Sequence, residues 1–286
     1  MLNIDLHCHS HVSDGILPPA EVVTRAAANG VHVLALTDHD DVAGLTEAQL
    51  AADQAGITLI PGVEISVTWQ RRTVHIVGLR INPYHPELVD GLHGIRVGRG
   101  LRAQRMSEDL ARHGVPGAYE GARNHAVNKQ MIGRTHFARW LVEQGHVRDV
   151  RSAFKQFLTS GKPGYVEHEW TTLDNAVNWI RASGGMAVLA HPGRYDLTTR
   201  NLHLLLDAFR NAGGEGIEVV TGSHHPSEYG KFADLARAFG LMASRGADFH
   251  APGEGIDLGR LPALPHYCKP VWQNWPEIEC LAAQTH

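Results

Sequence analysis

Residues 1–15 read MLNIDLHCHSHVSDG. With a period of two, Asp5, His7 and His9 share one face of a strand and Cys8 points to the other. A core strand ordinarily takes Val, Ile and Leu. Imidazoles and carboxylates there carry a desolvation cost unless something pairs with them. The anomaly recurs at the ends of other apparent strands: LTDHD (36–40), GVEIS (62–66), AHPGR (190–194) and GADFH (246–250). Helix-like segments separate them, among them 18–30, 42–56, 172–185, 201–214 and 228–240. Repeated strand–helix units predict a parallel barrel or a doubly wound sheet. Polar residues at the C-terminal ends of so many strands favour the barrel, whose strand ends converge on one rim.

Nine residues form the candidate cluster: His7, His9, Asp14, His39, Glu64, His75, His191, Asp248 and His250. Glu64 and His75 lie inside apolar strands, where an unpaired carboxylate is costly and a cationic partner is expected. One ion usually takes three or four protein ligands. Nine suffice for about three ions if one carboxylate bridges. Imidazole and carboxylate without thiolate suit Mn²⁺, Fe²⁺ or Zn²⁺.

Of the 286 residues, 43% are hydrophobic and 20% charged, as in a globular protein with a full core. No apolar run is long enough to span a bilayer, and no signal-peptide pattern opens the chain. Cys8, Cys268 and Cys280 make neither a metal-binding pair nor an even disulfide framework, which suits a reducing compartment. A cytoplasmic location is therefore expected. The net charge of −4 conceals a cationic middle: residues 96–163 carry 13 Lys and Arg against 5 Asp and Glu. Such a segment suits an anionic ligand. Helical patterns fill roughly 85–165, the clearest at 86–114 and 133–145. No basic tract with interleaved aromatics argues for long nucleic acid.

The stretches DLHCHSHVSDG, LALTDHD, GVEIS, VHIVG, AHPGR and GADFHAP closely resemble the motifs of the PHP (polymerase and histidinol phosphatase) family of metal-dependent phosphoesterases, in the right order over 1–82 and 186–252. The resemblance implies an α/β fold, a distorted (β/α)₇ barrel, with the barrel at 1–98 and 166–286 and a helical cap inserted at 99–165. It implies two or three ions, with Mn²⁺ the leading choice. One would take His7, His9, Glu64 and Asp248. A second would take Glu64, His75 and His191, and a third Asp14, His39 and His250. The length and the insert look like the subgroup that removes the 3′-phosphate from nucleoside 3′,5′-bisphosphates such as pAp; some relatives trim short RNA from its 5′ end.

Around this cluster, Arg194 is expected to clamp a phosphate, and His191 and His224 to serve the reaction. Arg134, His136, Lys129 and Lys162 of the cationic insert are expected near a second phosphate, with Tyr165 stacking on a base. Asp38, Asp40 and Glu218 are expected to orient imidazoles. Three other readings remain. A carbon–nitrogen hydrolase of related architecture commonly uses a bridging lysine, and none of the five lysines ends a core strand. A histidinol-phosphate phosphatase leaves the cationic insert without a purpose. A metal- or nucleotide-sensing module would show no turnover.

Overall fold

The computed structural model describes residues 2–284; His286, expected at the surface, lies outside them. The elements run β1 (Ile4–Asp5), α1 (Pro19–Ala28), β2 (Val33–Leu36), α2 (Leu45–Ala55), β3 (Thr58–Trp69), β4 (Arg72–Leu79), α3 (Pro86–Arg112), α4 (Ala118–His125), α5 (Arg134–Glu143), α6 (Val150–Ala153), α7 (Leu173–Ala182), β5 (Met186–Leu189), α8 (Thr199–Asn211), β6 (Gly216–Thr221), α9 (Tyr229–Ala238), β7 (Met242–Gly246) and α10 (Pro276–Gln284).

The seven strands pair in sequence order. Main-chain bonds from Leu6 N to Arg245 O (3.0 Å), His9 N to Phe249 O (2.8 Å) and Asp248 N to His7 O (2.8 Å) join the first strand to the last, so the sheet curls into the predicted barrel. The distortion is β4, which runs antiparallel to both β3 and β5. Gln70 and Arg71, at φ 45° and 64°, make the tight turn that reverses the chain. The reversal pairs His75 with Ser66, two residues beyond Glu64, and so carries a mid-strand histidine to the rim.

Side-chain alternation explains the layers. In β2, Leu34 and Leu36 pack with Val22, Val23 and Ala48 of α1 and α2. Val33 and Ala35 face the other way and join Leu6, Ile60, Val77 and Val188 inside the barrel, where Val271 and Trp275 close the lower end. A separate core of Ala103, Met106, Leu110, Ala122, Phe137, Trp140 and Leu158 holds the cap.

One helix crosses residue 99, the expected boundary. Leu88, Leu92 and Ile95 of α3 belong to the barrel's outer core, whereas Ala103, Met106 and Leu110 belong to the cap. The cap is thus an extension of a barrel helix rather than a module on a linker. Four glycines interrupt α3. A Cβ at Gly91 would meet the Trp179 ring at 2.6 Å, so that glycine is required by packing. Gly94 and Gly100 have nothing within 4 Å. Glycine inside a helix costs about 1 kcal/mol relative to alanine. Gly94→Ala and Gly100→Ala should therefore each raise the melting temperature by about 2 °C, while Gly91→Ala lowers it. Calorimetry on the three variants checks this.

Candidate metal centre

All nine predicted residues meet at one end of the barrel. His7 and His9 follow β1, their Nε2 atoms 3.1 Å apart. His39 follows β2 and bridges to Glu64 of β3. His191 follows β5 and Asp248 follows β7, with φ of 23° and 55° respectively. Such left-handed backbone at residues other than glycine is costly and concentrates where function over-determines the geometry.

Glu64 lies at the centre and is fully buried. Its Oε1 is 2.9 Å from His191 Nε2 and 3.0 Å from His75 Nδ1. Its Oε2 is 2.9 Å from His39 Nδ1 and 3.4 Å from the Nε2 of both His7 and His9. Asp248 Oδ1 stands 3.5 Å from His7 Nε2 and 3.3 Å from His9 Nε2. At the other end, Asp14 Oδ1 is 3.2 Å from His250 Nε2 and 4.0 Å from His9 and His39.

These residues fit cations. A tetrahedral ion with bonds of ~2.1 Å sets its ligands about 3.4 Å apart, and the contacts of His7 and His9 with each other, with Glu64 and with Asp248 span 3.1–3.5 Å. Among the described residues eleven buried side-chain atoms have no hydrogen-bond partner, and five of them converge here: Asp14 Oδ1, His39 Nδ1, Glu64 Oε2, His191 Nδ1 and Asp248 Oδ1. The other six are scattered over the molecule, and five unpaired buried polar atoms in one cluster call for a common partner. Four overlapping groups place their ligand atoms within 4.8 Å of one another. The grouping differs from the one the motifs imply: Asp14, His39 and His250 come together as expected and are joined by His9, but Asp248 groups with His7 and His191 rather than with His9 and Glu64, and His75 groups with Glu64 and His39 rather than with His191.

The protonation pattern follows from burial and charge. Burial opposes ionisation of Glu64, Asp14 and Asp248, yet the imidazoles around them hold all three well below the usual carboxylate range. Burial and the neighbouring His250 press His9 down to about 3. At His250, burial is outweighed by Asp14 and Asp248, which lift it to about 9.

The comparisons agree with this geometry. Residues 5–194 match the PHP domain family. The chain belongs to the PHP family. It is 53% identical, over 96% of both chains, to a 3′,5′-nucleoside bisphosphate phosphatase of Chromobacterium violaceum. It is 42% identical to a 5′-3′ exoribonuclease of Haemophilus influenzae, over 95% of this chain and 98% of that one. A solved Chromobacterium violaceum structure, named an amidohydrolase, with bound sulfate and no metal, superposes with a TM-score of 0.93 at 52% identity, over 97% of this chain and 96% of that one. The protein is accordingly a phosphoesterase.

Around the PHP cluster, Glu218 is placed as expected. Its Oε1 pairs with His7 Nδ1 at 2.8 Å and its Oε2 accepts the His191 backbone N–H at 2.6 Å. Asp38 acts less directly: it accepts from the Ser10 and Ser13 hydroxyls, and Ser13 Oγ lies 3.5 Å from His9 Nδ1. Asp40 touches no imidazole. It binds the Arg99 guanidinium and the Ser66 hydroxyl instead.

Arg194 stands at the rim, its Nη1 3.1 Å from Asp248 Oδ2. Arg134 lines both the inner cavity and the groove outside it, and Tyr165 lines the groove. Four residues expected at the substrate are placed elsewhere. His224 is buried, stacks on Phe232, accepts the Gly193 N–H at Nε2 and lies 3.2 Å from Val219 O through Nδ1; both nitrogens are occupied by main chain. His136 turns back to accept the Gly133 N–H, closing the first turn of α5. Lys129 donates to the carbonyls of Arg123 and Ala126 at the end of α4, and Lys162 is exposed and lines neither cavity.

Arg99, Arg102, Thr135 and Trp170 were missed from sequence. Arg99 and Arg102 lie over the Trp170 ring, at 4.7 and 5.3 Å from its centre. Their three- and four-residue spacings to Ile95, Ala103 and Met106 on one helix were the available signal.

Because the cluster holds protons that cations must displace, loading it should release protons. The apparent affinity for Mn²⁺ should rise with pH toward the His250 value of about 9. Calorimetric titration in two buffers of different ionisation heat checks this, and a heat independent of buffer contradicts it.

Proposed function

We propose that the protein hydrolyses the 3′-phosphate of nucleoside 3′,5′-bisphosphates, converting pAp to AMP and phosphate. The observation that carries this reading is a pair of cations beside the centre with no anion to match them. Arg102 and Arg134 bond only the carbonyls of Val166 and Leu158, at 3.3 and 3.4 Å, and neither enters an ion pair among the described residues. Burial, Arg134 and Arg99 press the Arg102 guanidinium down to about 9, a cost that a bound anion would relieve. An inner cavity of about 120 Å³ touches Asp14, His39, His75 and His250. It opens past Arg102 and Arg134 into a groove of about 620 Å³. One phosphate at the cluster and a second at the arginines match a bisphosphate. The sulfate carried by the Chromobacterium violaceum structure is an anion of phosphate's shape.

When bound, a divalent cation supplies a water acidic enough to deprotonate near neutral pH and neutralises charge on the phosphoryl oxygens. The protein's residues do the rest. His7, His9, Asp14, His39, Glu64, His75, His191, Asp248 and His250 hold the centre, with Mn²⁺ the favoured occupant over Fe²⁺ or Zn²⁺ and two or three ions bound. Glu218 fixes the rings of His7 and the backbone of His191. Arg194 clamps the reacting phosphate, and Arg134 with Arg102 holds the 5′-phosphate. Tyr165 offers a stacking face for the base. Water oxygen attacks phosphorus in line, the bond to the 3′-oxygen breaks, and a proton ends on the released alcohol, with no phosphoryl-enzyme.

A second reading has one observation in its favour. The outer groove continues to Gln70, Arg71 and Arg72 at the β3–β4 turn, leaving room for further nucleotides of a short RNA. Carbon–nitrogen hydrolysis is not favoured: Glu64 holds the bridging position and no lysine lines either cavity.

Phosphate release from pAp, AMP, histidinol phosphate and a 5′-phosphorylated trinucleotide, each with Mn²⁺, separates these readings; pAp should give the highest kcat/KM. Arg102→Gln should raise KM for pAp about tenfold or more while barely altering that for a 3′-monophosphate. In ¹⁸O-water, a single turnover should place one label in the released phosphate.

A further inference from the structure

The two ends of the cluster are anchored differently. At the Asp248 end every support comes from the barrel. Asp248 Oδ2 accepts from Ser223 Oγ at 2.5 Å and from Arg194 at 3.1 Å, both on barrel loops. Asp14 instead sits on the turn between β1 and α1, and its outer oxygen reaches across to the cap. Thr135 Oγ1 donates to Asp14 Oδ2 at 3.0 Å. That bond leaves Oδ1, buried and without a hydrogen-bond partner, facing His250, His9 and His39. Thr135 is the second residue of α5, whose Phe137, Trp140 and Leu141 pack wholly in the cap core.

Helix α3 and the cap also grip the loop that carries His39. Arg99 binds Asp40, Arg96 Nη1 donates to Asp40 O at 2.8 Å, and Asn128 Nδ2 donates to Asp41 Oδ2 at 2.8 Å. The group His9, Asp14, His39 and His250 is therefore held at two members, Asp14 and His39; the group His39, Glu64 and His75 shares only the second contact, and the two groups built on His7 share neither. Gly94 and Gly100, with empty surroundings, lie on the stretch of α3 that leads from one core to the other.

We propose that Thr135 is a positioning residue that couples the cap to the metal centre, so that the subsite built on Asp14 is complete only when the cap is seated on the barrel. The proposal rests on the reading of the nine-residue cluster as a metal centre. Groups that orient a ligand typically contribute 10- to 100-fold to metal affinity. Freezing the Asp14 carboxylate in one rotamer is what the Thr135 bond supplies.

The test is a Mn²⁺ titration of metal-stripped full-length protein, following free Mn²⁺ by electron paramagnetic resonance, for the wild type, Thr135→Val and Thr135→Ser. Valine keeps the branched shape and removes the hydroxyl; serine keeps the hydroxyl. The expected result is that Thr135→Val weakens one binding step by about tenfold or more, leaves the other steps within about twofold, and is rescued by Thr135→Ser. Superimposable isotherms, or equal weakening of every step, would overturn the coupling while leaving the metal centre standing. No Mn²⁺ uptake by the wild type would overturn the metal reading and this proposal with it.

Discussion

The fold is organised around a buried anion. Glu64 lies at the middle of the barrel mouth with no access to water. Its two oxygens have imidazole nitrogens of His39, His75 and His191 within 3.0 Å. A lone carboxylate in that position would be expelled or protonated. Keeping it ionised requires positive charge close by, and the rim supplies it as imidazoles set to share cations. Each strand end must then deliver one side chain to within about a bond length of a common point. That requirement explains the left-handed backbone at His191 and Asp248 and the small residues packed against the strand ends. Gly246 is an example, since a Cβ there would meet His7 at 2.3 Å.

Most of this centre was legible from sequence because its residues are chemically out of place. A histidine or acid inside an apolar strand or just past its end is an anomaly, and period two says which face it takes; Asp14, on the turn after β1, is the exception among the nine. His75 was the hardest of the nine, being mid-strand; it belongs at the rim because β4 runs backwards, a fact encoded only in the Gln70–Arg71 turn. The substrate contacts were less legible because a positive charge on a helix looks the same in solvent and in a cavity. Lys129 and His136 serve helix ends, and His224 props the loop that carries His191, whereas Arg102, unremarked in sequence, faces the groove. What separates them is the rotation of α3 and the path of 159–170, set by tertiary packing of the cap core.

The cap sets arginines beside the side-chain cluster of the PHP barrel. The barrel alone supplies a cation trap and one arginine, Arg194. The crossing of α3 adds Arg99 and Arg102 above the rim, and α5 adds Arg134 and Thr135. Arg99 is neutralised by Asp40 and so serves attachment, while Arg102 and Arg134 keep their charge uncompensated. One inserted element therefore brings uncompensated positive charge to the cavities beside the centre. Among the described residues no helix is long and apolar enough to cross a membrane.

The central claim is that the cluster around Glu64 exists to hold several divalent cations at once. Anomalous diffraction at the manganese edge, from crystals grown with Mn²⁺, tests it most directly. The account requires at least two peaks a few ångströms apart, one bracketed by His7, His9, Glu64 and Asp248. A map with no peak within bonding reach of Glu64 would contradict it.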